Sequence, residues 1–141
     1  MTSIEEHVKR IIEHLEEIED AINQGIEKKP ITIGFHCSAC SIELLEIYLH
    51  IINVIPTGKI VKHDWFKKPT PQQKKEPLID RTMPIIFPNK EKIYELIYEI
   101  EIDRNSLLYG SPTKDKIKRV LENFNKLKEI IKPLVKNEIN I

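Results

Sequence analysis

Residues 32–54, TIGFHCSACSIELLEIYLHIINV, restrict this chain more than any other stretch. On a helix advancing about 100° per residue, Ile33, Cys37, Cys40, Leu44, Ile47, Tyr48 and Ile51 form one apolar face. Phe35, Ile42, Leu45, Leu49 and Ile52 form a second. A narrow polar strip remains, holding Glu43, Glu46 and His50, with His36 at its edge. A helix so apolar either lies in the middle of a bundle or gives one face to a subunit interface.

Three further helical patterns surround it, and no stretch alternates as a strand would. The first opens at Ser3, where Ser3-Ile-Glu-Glu6 reads as a capping box. Its stripe runs Ile4, Val8, Ile11, Leu15, Ile18, Ile22 and Ile26; Gly25 weakens the end and the Lys28-Lys29-Pro30 turn closes it. His7 and His14 fall within it as ordinary surface residues. The third begins after Asn89, an N-cap residue type, and stops at Gly110. Ser111 then caps a fourth helix with Pro112 at its first position. That helix buries Ile117, Val120, Leu121, Phe124, Leu127, Ile131 and Leu134, and Pro133 bends or ends it. Residues 56–88 carry six of the nine prolines and read as a long connection with room for one helical turn. The expectation is one all-α domain over 1–141, an antiparallel, up-and-down bundle of four to five helices, with a Pro/Lys-rich connection at 56–88.

The charge pattern narrows the partners. The 22 basic and 22 acidic residues cancel, so no global field draws in nucleic acid or an anionic membrane. Positive charge collects instead in the connection and the last helix. An abundance of isoleucine, lysine and glutamate suits a heat-adapted protein, although an AT-rich genome produces part of the same bias. MTSIEEHVKR has no apolar signal core, and no run reaches a membrane span. With only two cysteines, three apart, a reduced cytoplasmic protein is the expectation.

The third helix places polar chemistry in an unusual position. Ile93, Leu96, Ile97, Ile100, Leu107 and Leu108 share one face, and Arg104 falls near its middle. A guanidinium there has to be paired or has to line a cleft. Glu101, Glu43 and Glu46 are the candidate partners. Beside that face runs a stripe of Tyr94, Tyr98, Ile102, Asn105 and Tyr109, apolar bodies with polar tips that suit a dimer interface or binding cleft. The plainer alternative is an arginine tied to one core carboxylate.

The segment DRNSLLYG, 103–110, resembles the signature of the HEPN superfamily, small helical-bundle domains of toxin–antitoxin and other defence systems. That motif is an arginine, often followed by asparagine, then four to six residues and a histidine at the end of the third core helix. Arg104-Asn105 matches its opening and Ser106-Leu107-Leu108 its apolar middle. The long first helix, the apolar second helix with SIELLE at 41–46 and the helix after the motif extend the likeness over most of the chain. The resemblance implies a homodimer with two motifs facing one cleft and, in many members, a metal-independent endoribonuclease. Arg104 would hold the scissile phosphate and Asn105 the geometry of the site. The histidine is replaced by Tyr109, and no histidine follows His63. An ordinary phenol ionises only near pH ~10 and is a poor base. His36, His50 and His63 are the histidines available for recruitment. The reading favoured here is a HEPN scaffold that binds a nucleotide, RNA or a cognate nucleotidyltransferase-type antitoxin, with catalysis weak or lost. The alternatives are an active endoribonuclease toxin, with Tyr109 or a displaced histidine in the missing role, and a purely structural interaction bundle.

Two other signals carry less. His36-Cys37-Ser38-Ala39-Cys40 offers metal ligands, but structural zinc needs four and no second pair exists, so neither metal nor cofactor is expected. The loop 59–75 sets Lys59, Lys62, Lys67, Lys68, Lys74 and Lys75 around Trp65 and Phe66, with His63 between. Aromatics and lysines together suit single-stranded nucleic acid. A solvated loop anchored by Trp65-Phe66 explains them too. Candidate binding residues are therefore Arg104, Tyr94, Tyr98, Glu43, Glu46 and His50, joined from the loop by Lys62, His63 and Trp65.

Overall fold

The computed structural model describes residues 3–73 and 75–141; Lys74 lies outside the described residues. Five α-helices form an all-helical bundle: α1 (Ile4–Gln24), α2 (Pro30–Ile51), a short α3 (Leu78–Thr82), α4 (Lys90–Tyr109) and α5 (Lys114–Ile131). Single 3₁₀ turns at His63–Trp65 and Lys132–Leu134 complete the elements. The described residues contain no strand.

Local chemistry sets most boundaries. The Ser3 hydroxyl accepts from the Glu6 amide at 3.2 Å, and the Glu6 carboxylate accepts from the Ser3 amide at 3.0 Å. This reciprocal cap satisfies two of the amides that a helix start leaves free. Gly25, at φ 109, ends α1 in a conformation that a side chain disfavours. Pro30 opens α2, where its missing N–H costs nothing. The helix occupies Pro30–Ile51 rather than 32–54, and the chain turns at Asn53 with φ 58.

Two of the expected caps differ. Asn89 precedes α4 in the left-handed region at φ 67, and its side chain makes no capping bond. Thr113, not Ser111, caps α5: its hydroxyl accepts from the Lys116 amide at 3.2 Å. Pro112 therefore lies before the helix. At the far end α5 passes into the Lys132–Leu134 turn, where Pro133 lacks a donor for a further helical bond.

Helix α2 is the centre of the bundle, packing on α1, α4 and α5. Most of its apolar circumference is buried by those three neighbours, which accounts for the pattern that singled it out; Phe35, expected on the second apolar face, is exposed near the start of the helix. Cys37 and Cys40 are fully buried members of that core, and burial pushes both thiols far up from their usual range. They are small apolar packing residues rather than reactive ones.

One close approach positions the end of α4. A Cβ built on Gly34 of α2 would lie 2.8 Å from Leu108 Cδ1 and 3.0 Å from Leu107 Cβ. The absent side chain lets the last turn of α4 settle against α2. Gly34→Ala is expected to push that turn outward and cost about 1–3 kcal/mol, the range for overpacking a tight contact. A thermal melt of the variant measures it; an unchanged or raised melting temperature would show that the turn shifts freely.

Candidate functional site

Arg104 ends up on the shoulder of α4, half-buried, not in the middle of the core face. The acidic neighbour takes the buried place instead. Asp103 is buried and accepts two bonds from Arg119 of α5, to Nε and Nη2, each 3.0 Å. This bidentate fork ties the end of α4 to α5. The triplet Asp103-Arg104-Asn105 is thus divided: the first residue faces α5 and the next two face outward.

Neither Glu101, Glu43 nor Glu46 forms an ion pair with Arg104. Its Nη1 donates to Asn105 Oδ1 at 3.3 Å, and its Nε is buried with no partner. The guanidinium opens onto a cleft of about 550 Å³. On the α4 side the walls are Tyr98, Glu101, Ile102, Arg104, Asn105 and Tyr109. Opposite them, the connection contributes His63, Asp64, Phe66, Lys67 and Lys68.

A buried relay holds the two walls together. Glu101 is nearly inaccessible to solvent and accepts a short bond from the Ser38 hydroxyl of α2. Its other oxygen lies 2.9 Å from His63 Nδ1. His63 Nε2 in turn lies 2.9 Å from Asp64 Oδ1. Both ring nitrogens therefore face carboxylate oxygens. His63 is the one candidate histidine that lines this cleft.

Phe66 anchors the connection. It is buried edge-on against Tyr94 and Tyr98, with ring centroids 5.2 and 5.7 Å away. The tyrosine stripe is therefore covered along its first half and open along its second. Burial, with Asp80 and Glu95 adding to it, pushes the Tyr98 phenol up to about 12. Tyr94 is raised further by its burial and lies in a separate groove beside Asp80 and Lys90. Lys68 reaches Glu95 at 2.8 Å and stands 5.5 Å over the Tyr98 ring. Trp65 is half-buried beneath Lys59 and does not line the cleft, and Lys62 faces an adjoining one. Past the covered part, Ile102 and Tyr109 remain 57% and 81% exposed.

The polar strip of α2 belongs to a different place. Glu43, Glu46 and His50 face α1, where they meet His7. His7 is fully buried rather than a surface residue, and His14 is half-buried with its Nδ1 2.8 Å from His36 Nδ1. Burial pushes the Glu46 carboxyl up to about 7, against the Val61 amide that favours its charge. Burial, reinforced by His7 and opposed by a backbone hydrogen bond at Ile55, holds His50 below its usual range.

From the sequence candidates, the cleft brings together Arg104, Asn105, Tyr109, Tyr98 and His63. It leaves out Tyr94, Glu43, Glu46, His50, Lys62 and Trp65. Ser38, Asp64 and Arg119 were not among the candidates. The His63-Asp64 dipeptide in a lysine-rich loop was a signal for Asp64; nothing local marks the other two. No protein-family model, curated protein or solved structure matches this chain. Among the described residues, no helix is long and apolar enough to cross a membrane.

Proposed function

We propose that this protein is a HEPN-like homodimer that binds RNA or a nucleotide in the Arg104 cleft, with ribonuclease activity weak or lost. The observation that carries the reading is the state of Arg104. Its guanidinium is half-buried, has no ion-pair partner among the described residues and opens onto a cleft that also holds Lys67, Lys68 and Asn105. A half-buried guanidinium with no ion pair, in a cleft whose carboxylates Glu101 and Asp64 are engaged by His63, favours an anionic ligand, and its planar fork suits phosphate oxygens. Tyr109 and Tyr98 offer aromatic surface beside it.

The purely structural reading placed Arg104 in a core ion pair, and among the described residues none forms; the buried pair is Asp103 with Arg119. Exposed Ile102 and Tyr109 on the open half of the stripe give a second copy an amphipathic surface to cover. In such a dimer two Arg104 side chains would serve one composite cleft. A defence-system setting and a nucleotidyltransferase-type partner follow from the family resemblance alone.

His63 favours a second reading, an active endoribonuclease with the displaced histidine beside Arg104. Its two carboxylate contacts weigh against that role, because both ring nitrogens are directed at Glu101 and Asp64 rather than into the cleft beside Arg104. The deciding experiment combines sedimentation with titration of labelled single-stranded RNA and of ATP, followed by a gel for cleavage. Dimers that bind one of the two saturably and leave the RNA intact are expected. Monomers at all concentrations, or no saturable binding of either ligand, would sink the proposal. Turnover of the RNA would move the assignment to the ribonuclease.

A further inference from the structure

A second cluster of functional groups stands where α1 packs on α2, and nothing in the Arg104 cleft uses it. His7 of α1 converges there with Glu46 and His50 of α2; the three residues are 0%, 5% and 9% exposed. One ligand-type atom from each lies within 4.8 Å of the other two. His7 Nε2 is 3.6 Å from Glu46 Oε2. The Nε2 atoms of His7 and of His50 are both buried without a hydrogen-bond partner. Two unpartnered imidazole nitrogens beside a carboxylate oxygen, in a place water barely reaches, are costly for a bundle that gains nothing from them.

We propose that His7, Glu46 and His50 bind a zinc-type divalent metal ion. Two imidazoles and one carboxylate are a borderline donor set that suits zinc; magnesium and calcium call for oxygen donors throughout. Glu46 and His50 are four residues apart, so they project from the same side of α2. His7 supplies the third ligand from across the helix pair. Around a tetrahedral zinc with bonds of about 2.0–2.1 Å, donor atoms stand roughly 3.4 Å apart. The His7–Glu46 spacing is already close to that, and side-chain rotation closes the rest.

The surroundings are arranged as metal ligands require. His7 Nδ1 lies 2.5 Å from Glu43 Oε2, and Arg10 pairs with the other oxygen of Glu43 at 3.5 Å. A ring that donates Nδ1–H to a carboxylate presents the lone pair of Nε2, the nitrogen that faces the cluster. Glu46 is oriented in the same way. Its Oε1 accepts from the Val61 amide at 3.0 Å, which leaves Oε2 directed at His7. One carboxylate thus orients the ring, the other completes the donor set, and a backbone amide fixes the second.

Three protein ligands leave a fourth position for water or a small anion. Glu46 also lines a cleft of about 440 Å³ with Val61 and Lys62. That cleft shares His63 and Asp64 with the Arg104 site, so the ion would have a route to solvent. Since α1 makes its main helix contacts with α2, an ion held between them would also fasten α1 to the bundle.

The test uses the whole 141-residue chain, stripped with chelator and dialysed. Zinc chloride added to the wild type is expected to bind at about one equivalent per chain and to raise the melting temperature. Cobalt(II) in place of zinc should give the intense visible bands of a tetrahedral site. Glu46→Gln and His50→Gln should each weaken metal binding about 10- to 100-fold. His36→Gln, which alters the separate His14–His36 pair, should bind as the wild type does. Failure of the wild type to take up zinc, or of zinc to shift its melting temperature, would overturn the proposal even if the variants misfold. So would equal binding by all the variants, which would mark adventitious surface histidines.

Discussion

Arg104→Ala is expected to weaken binding of single-stranded RNA about 10- to 100-fold, the equivalent of one or two charge-assisted hydrogen bonds, with little change in melting temperature. The stability half of this expectation follows from what Arg104 lacks. Its one side-chain bond, 3.3 Å to Asn105, connects neighbours in sequence, and its Nε is already unpartnered. Truncation removes a buried donor without stranding any acceptor in the core. Arg119→Ala is the control with the opposite profile. It leaves the buried Asp103 carboxylate without either of its two bonds, so it should lower the melting temperature and spare RNA affinity. Salt dependence separates the terms further. Loss of one phosphate contact per site flattens the slope of log affinity against log salt by about 1. An Arg104→Ala protein that melts much earlier than the wild type, with unchanged affinity, would return Arg104 to a structural role.

The helical order was legible because 3.6-residue periodicity is a local property, and the composition of residues 32–54 marked the central helix. The site was legible only in part. A helical wheel placed Arg104 within an apolar face, but the wheel has no knowledge of Arg119, whose fork makes Asp103 the buried member of the triplet. The same limit applies to the tyrosine stripe. The wheel grouped Tyr94 and Tyr98 with Tyr109, yet Phe66 of the connection packs against the first two and leaves the third exposed. Which loop covers which half of a stripe is a tertiary fact. His7 is the sharpest case: alone it reads as a surface residue, and its meeting with Glu46 and His50 depends on the register between two helices. HCSAC drew the metal question to residues that do not converge: Cys37 and Cys40 lie in the core and His36 meets His14. Nearness in sequence is a poor guide to convergence across a helix pair.

Glu101→Ala should have the largest effect on the shape of the cleft, since Glu101 is the buried group that joins α4 to both α2 and the connection. The carboxylate accepts from Ser38 in α2 and pairs with His63 in the connection. Removing it strands a buried hydroxyl and releases the histidine that pins the connection to α4. Loss of a buried charged acceptor together with its partners costs about 3 kcal/mol, or on the order of 10 °C in melting temperature for a domain of this size. Phe66 and the Lys68–Glu95 pair would still hold the connection, so the loosening should centre on His63 and Asp64 and reach Lys67. Limited digestion with trypsin detects that: faster cleavage after Lys62 and Lys67 is expected, since Pro69 protects the bond after Lys68, while α4 and α5 stay resistant. Glu101→Gln separates packing from charge. An amide can still accept from Ser38 but forms no ion pair with His63, so it should melt between the wild type and the alanine variant and be cut at an intermediate rate. Trypsin sensitivity unchanged in both variants would mean that Phe66 and the Lys68–Glu95 pair hold the wall of the cleft without the His63–Glu101 contact.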